Sequence, residues 1–217
     1  TRQMTHSNHR RGARRALDHD YVILVRGDKV KTDVEKARKA VRILAKHNPV
    51  GVVTRRKGIP IRYMRNWDEG LSLQEVADHP DPPQYIHGVY ERTEDVQGLV
   101  QDFADAKLGF SIVVSGVFEN TFDICEKVGT GPHTVNLSME TLGRTELLPE
   151  DRILEVMTMC GHSLVGEPLI RHLIGQVRKG YTTAEKAGLE LGKQCVCNFF
   201  NPVRAAKIIE EYANMQR

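Results

Sequence analysis

YIHGVYERTEDVQGLVQDFADAKLGFSIVVSGV, residues 85–117, is the stretch on which the fold reading turns. YIHGVYE (85–91) is an aromatic and β-branched run of strand type. Thr93 then stands as an N-cap, with Glu94 and Asp95 at the positive end of a helix running to Lys107. Val96, Leu99, Phe103 and Ala106 recur at helical spacing and form its buried stripe. FSIVVSGV (110–117) contains no charge, as expected of a strand covered on both faces. FENTFDICEKVG (118–129) reads as a second helix and HTVNLS (133–138) as a third strand. Strands alternating with helices in this way predict an α/β fold with a mostly parallel sheet body.

Working outward, the upstream segments extend that pattern. YVILVRG (21–27) reads as a buried strand, and Val34, Ala37, Val41 and Leu44 mark a helix from Asp33 to His47, ended by Asn48-Pro49. VGVVTR (50–55) and IPIRYM (59–64) read as two strands joined by the basic turn Arg56-Lys57-Gly58. Residues 65–83 hold three prolines and one short helix near 72–78, which suits a boundary between lobes. Downstream of Leu148 everything reads helical: one helix from Pro149 to about Met159, one from about Gly166 to Lys179 and one opened by Thr182 and Glu185 at capping-box spacing. A last helix starts at Asn201-Pro202. The expected organisation is a basic tail (1–20), a small β-α-β-β lobe (21–64), a linker (65–83), an α/β lobe (84–147) and a C-terminal helical cap (148–217). No internal repeat or low-complexity tract is read along it.

The chain has 217 residues, 40% hydrophobic and 27% charged, an ordinary balance for a globular protein of one or two domains. No uncharged stretch approaches the roughly 18 residues a membrane-spanning helix needs. TRQMTHSNHRRGARR, at the start, lacks a signal-peptide apolar run, which leads to the expectation of a cytoplasmic protein. Its four cysteines then read as reduced thiols or metal ligands rather than disulfides. The net charge of +3 is uneven: Arg2, Arg10, Arg11, Arg14 and Arg15 crowd the first 15 residues, leaving the remainder at −2.

The densest chemistry lies in the helical cap. Cys160-Gly161-His162 falls in one interhelical break and Cys195-Val196-Cys197 in another, each ahead of a helix whose first amides favour a thiolate. Cys160, Cys195 and Cys197 are therefore expected to hold an iron–sulfur cluster, [4Fe-4S] favoured, with one iron open to substrate or to His162. Cys160, His162, Cys195 and Cys197 around a structural zinc form the alternative. Cys125 reads as a core thiol. There is no CxxC pair, GxxxxGK[ST], GxGxxG after a strand, HExxH or GxSxG.

A second set of candidates lies where a parallel sheet would open. Arg92, Ser115 with Gly116, Asn136, Ser138, His133 and Arg144 could bind a small anionic substrate. His162 and His133 are the acid–base candidates, and an open iron suits lyase or hydro-lyase chemistry. Two other readings stand beside this one: an accessory protein or subunit of a larger redox complex, and a zinc-stapled module binding nucleic acid through its Arg-rich tail and Arg55-Arg56-Lys57. Membrane insertion is not expected.

Overall fold

The computed structural model describes residues 10–27, 30, 33–55, 60–136 and 141–215. Five strands are described: β1 (Tyr21–Arg26), β2 (Gly51–Arg55), β3 (Ile61–Met64), β4 (Ile86–Tyr90) and β5 (Ser111–Ser115). The described α-helices are α1 (Arg14–Leu17), α2 (Val34–Lys46), α3 (Leu73–Ala77), α4 (Thr93–Ala106), α5 (Phe118–Val128), α6 (Asp151–Met157), α7 (Glu167–Arg178), α8 (Ala184–Gln194) and α9 (Pro202–Met215). They sort into a sheet unit, Leu17–His133 with Val196–Asn198, and a helical unit, Thr1–Ala16 with Thr134–Cys195 and Phe199–Arg217. No described helix is long and apolar enough to cross a membrane.

The sheet unit corrects the expected parallel body. Its strand order is β3-β2-β4-β1-β5, and every neighbouring pair is antiparallel. The helix between β1 and β2 does make these two strands point the same way, but β4 is inserted between them. Likewise β4 and β5 point the same way with β1 between them. These are two interleaved split β-α-β units, with β3 added at one edge. A crossover helix dictates the relative direction of the strands it joins, and nothing in its length says whether a third strand separates them. The same topology puts β5 at an edge, half-buried along its whole length, so its lack of charge does not reflect cover on both faces.

One face of the sheet carries the α2, α4 and α5 core. Tyr21, Ile23 and Val25 of β1 alternate toward Val41 and Leu44 of α2, Leu99 and Phe103 of α4 and Ile124 of α5, all in one buried cluster. At Gly88 of β4 a Cβ would come within 3.0 Å of the Leu44 side chain, so glycine lets α2 lie close. Tyr90 secures that approach by donating its hydroxyl to the Leu44 carbonyl at 2.8 Å. The opposite face buries Val22, Leu24, Val53, Val89 and Met64, and with them His87 and Arg62. Residues 196–198 belong to this unit, and Asn198 Nδ2 donates to the Tyr63 carbonyl at 3.0 Å.

Local chemistry explains the helix ends. Asp33 caps α2 through the Lys36 amide and Ser72 makes a full capping box with Glu75 on α3. Thr93, in contrast, is the first residue of α4 rather than its cap, and its hydroxyl meets Tyr21 Oη at 2.8 Å. The cap of α8 is Thr183, one residue beyond the expected Thr182. Residues 133–136 form no strand, and 137–138 of the expected HTVNLS strand lie outside the described residues.

In the helical unit α9 packs beside α8, and Asn201 Oδ1 accepts the Arg204 amide at 3.0 Å, the cap expected from Asn201-Pro202. The described part of the basic tail is tied into this unit. Arg10 donates to the Phe199 carbonyl, the Arg11 amide bonds Thr158 Oγ1 at 3.0 Å, and the buried Arg204 donates to the Arg11 carbonyl while facing Glu155 at 3.7 Å.

Candidate functional site

The helical unit brings Cys160 and Cys195 together. Neither is in a disulfide, both are buried, at 2% and 1% exposure, and the Cys195 side chain hydrogen-bonds to Cys160. Each sits at the start of a loop between two helices: Cys160 follows α6 and leads to α7, and Cys195 ends α8 and leads to α9.

The two loops share one local plan. In CGHSLVG (160–166) the third residue after the cysteine, Ser163, has φ of 55°, and in CVCNFFN (195–201) the equivalent Asn198 has φ of 53°. This left-handed residue reverses the chain so that the next amides turn back on the sulfur. The Leu164 and Val165 amides donate to Cys160 Sγ, as does that of His162. The Phe199 and Phe200 amides donate to Cys195 Sγ. Six residues after each cysteine comes the N-cap of the next helix, Gly166 of α7 and Asn201 of α9. Five peptide N–H groups thus converge on two sulfurs.

That arrangement separates the two thiols electrostatically. The hydrogen bond from the Cys195 thiol and the three amides hold Cys160 down to about 6, against the cost of burial. Cys195 moves the other way, because it keeps the proton it shares with Cys160 and is itself buried. The amides that act here are those of the two loops, not the helix-terminal ones anticipated from sequence. Their signal was present as the repeated order of cysteine, two residues, Ser or Asn, two bulky apolar residues and an N-cap. Asn tolerates the left-handed region, and Ser does so at some cost.

Cys197 is buried in the sheet unit, where its carbonyl accepts from His87 Nδ1 at 3.4 Å. The side chain of His162 is exposed. Among the described residues no group of three or more His, Cys, Asp or Glu side chains is placed to hold a metal ion. Cys125 is half-buried on α5, and burial raises its thiol above the ordinary value.

The expected sheet mouth falls with the parallel sheet. Arg92 and Ser115 do lie at one end, where Tyr21 opposes Tyr90 and Val22 opposes Ser115. Arg92 is exposed there and faces Glu94 at 3.5 Å, while Asn120 ties Tyr21 Oη to Asp18 with two bonds of 3.0 Å. Beside them Gly116 accommodates the Tyr21 ring, which a Cβ would meet at 2.7 Å. His133 is at the other end of β5, bonded through Nε2 to Ser111 Oγ at 3.0 Å. Four residues of strand, about 13 Å, separate it from Ser115. Asn136 and Arg144 belong to the helical unit and are exposed, Arg144 pairing with Glu146 at 2.9 Å. Ser138, Arg56 and Lys57 lie outside the described residues, and Arg55 is paired with Asp81.

No protein-family model, curated protein or solved structure matches this chain.

Proposed function

We propose that the chain is a thiolate-centred metal protein, with Cys160 and Cys195 as the resident protein ligands of an iron–sulfur centre. The observation behind this reading is the pair of loops that each aim backbone N–H groups at a cysteine sulfur. A thiolate ligand is anionic, and amide hydrogen bonds to sulfur both stabilise that charge and set the potential of an iron–sulfur unit. Two soft sulfurs side by side select iron–sulfur, zinc or copper(I) over hard cations such as magnesium. The reading also places the protein in a reducing compartment, the cytoplasm, where cysteines stay out of disulfides.

The test is the iron, zinc and acid-labile sulfide content of protein purified without oxygen, read beside its absorption spectrum. Near-stoichiometric iron and sulfide, lost in Cys160→Ala and in Cys195→Ala, is the expected result. Zinc alone at one equivalent ends the iron–sulfur reading, and absence of any metal ends the metal reading altogether.

A further inference from the structure

We propose that β5 is a self-association edge: two copies of this chain pair β5 with β5, antiparallel, about a two-fold axis at Val113. The pairing is independent of the metal reading, since β5 belongs to the sheet unit and Cys160 and Cys195 to the helical unit. β5 closes one edge of the sheet, and its pairing with β1 runs without a break from Val22↔Ser115 to Arg26↔Ser111. Alternate residues of such a strand point N–H and C=O away from β1. Among the described residues no strand and no backbone hydrogen bond meets those groups from outside. Sheet edges are usually blunted by a charge, a proline or a bulge. β3, at the other edge, carries Arg62 and pairs irregularly with β2 between Val53 and Arg55. SIVVS (111–115) has none of the three.

The helix that follows adds to the same side. At about 100° per residue, α5 turns Asn120 to one flank and Phe118, Phe122 and Cys125 to the other. Asn120 Nδ2 donates at 3.0 Å to Tyr21 Oη of β1, which also meets Thr93 of α4, so the first flank faces into the unit. The second flank is turned away from α4 and past β5. There the rings of Phe118 and Phe122 stack at 5.7 Å between centroids and stay 38% and 43% exposed.

That patch fits a second copy of itself. Reversed about Val113, SIVVS sets Ser111 opposite Ser115 and Ile112 opposite Val114, an isologous match of like with like. The two-fold axis stands perpendicular to the sheet, so both α5 helices lie on one face with their phenylalanine flanks turned to each other. No charge falls on β5 or on this flank, and Glu119 and Glu126 are exposed at its rim, so pairing buries no carboxylate. The open parts of the two rings amount to on the order of 150 Å² per copy. With one short strand edge this stays below the roughly 800 Å² per partner of a standard stable interface. The dimer is therefore reversible and concentration-dependent rather than obligate.

The experiment is sedimentation velocity of the full chain in reductant from about 1 μM to about 300 μM, the range expected of a small interface. Hydrogen–deuterium exchange is read at both ends of that range. The expected result is a monomer–dimer equilibrium in which exchange slows severalfold over residues 111–115 and stays unchanged in β3, the other edge. Phe122→Lys, at an exposed position, should weaken association about tenfold or more. Tyr181→Ser, an exposed aromatic of the helical unit, should leave it unchanged. In a Cys125→Ser background, Val113→Cys should cross-link two copies on mild oxidation, because directly opposed residues of antiparallel strands lie about 5 Å apart. Ser111→Cys, which faces position 115 of the second copy, should not. A chain that stays monomeric throughout, protection that falls outside 111–125, or cross-linking at 111 in place of 113 would overturn the proposal. Sedimentation and exchange use the unmutated chain, so the outcome does not depend on a variant folding. Metal content is measured on a parallel portion: metal without the dimer sinks this proposal alone, and the dimer without metal sinks only the metal reading.

Discussion

Cys160 commits three peptide N–H groups and a neighbouring thiol to one buried sulfur, a concentration of donors that an aliphatic thiol does not need. Burial alone would favour the neutral thiol, as it does at Cys125. The difference between these two cysteines lies in their backbone surroundings, which composition cannot report. Glu150 shows the same rule at a carboxylate. Its side chain accepts from Arg171 Nη1 at 2.8 Å and from Tyr212, and these bonds hold it down to about 2. A depressed carboxylate pKa adds stability that is fully present above about 4.5 and is lost as pH falls toward about 2. The pair is exposed, so its worth is small: Glu150→Gln should lower stability by roughly 0.5–1 kcal/mol at neutral pH. Urea unfolding of both proteins from pH 7 to pH 2 measures this, and the gap between them should close at the acid end.

At the scale of elements, the loops after α6 and α8 are built alike, and the helix that comes next sets the length of each. Each cysteine has a left-handed residue three positions on and a helix cap six positions on, so neither loop can be shortened without turning its amides away from the sulfur. The packing of α8 on α9 holds the second loop. At Gly188 of α8 a Cβ would sit 2.3 Å from the Pro202 carbonyl, a backbone atom that cannot rotate aside. Gly188→Ala should therefore cost about 1–3 kcal/mol in denaturant unfolding despite alanine's better helix propensity. The same variant should lower the metal content, since Pro202 begins the helix two residues after the Phe200 amide. Helix positions, the helix start at Asp33, the cap at Asn201 and the short helix near 72–78 were legible because they depend on residues within one turn. Thr93 was misread for the same reason in reverse: its hydroxyl is taken by Tyr21, 72 residues away in sequence.

For the whole molecule, the thiol inventory is a direct check on burial. Cys160, Cys195 and Cys197 are buried and Cys125 is half-buried. Titration of the native, reduced, metal-free chain with a bulky aromatic disulfide should modify Cys125 first and the other three slowly, with all four reacting after unfolding. Rapid modification of Cys160 at native pH would mean that its loop opens far more often than its packing implies. The strand order likewise belongs to the whole molecule. β1 lies between β4 and β5, its partners far along the chain, and the pairing joins segments about 65 to 90 residues apart.

The sequence by itself determined the approximate places of β1–β5 and of the longer helices, and that Cys160, Cys195 and Cys197 sit in interhelical breaks, while it also put a strand at 133–138 that does not form over 133–136. Those features stem from periodicity and capping, which act over a few residues. Only the tertiary structure decided that the sheet is antiparallel, that Cys160 meets Cys195, and that Ser115 and His133 stand at opposite ends of β5. These are matters of which distant segments become neighbours. A crossover helix or an interhelical loop constrains direction and reach, and the choice among partners is made by burial summed over the fold.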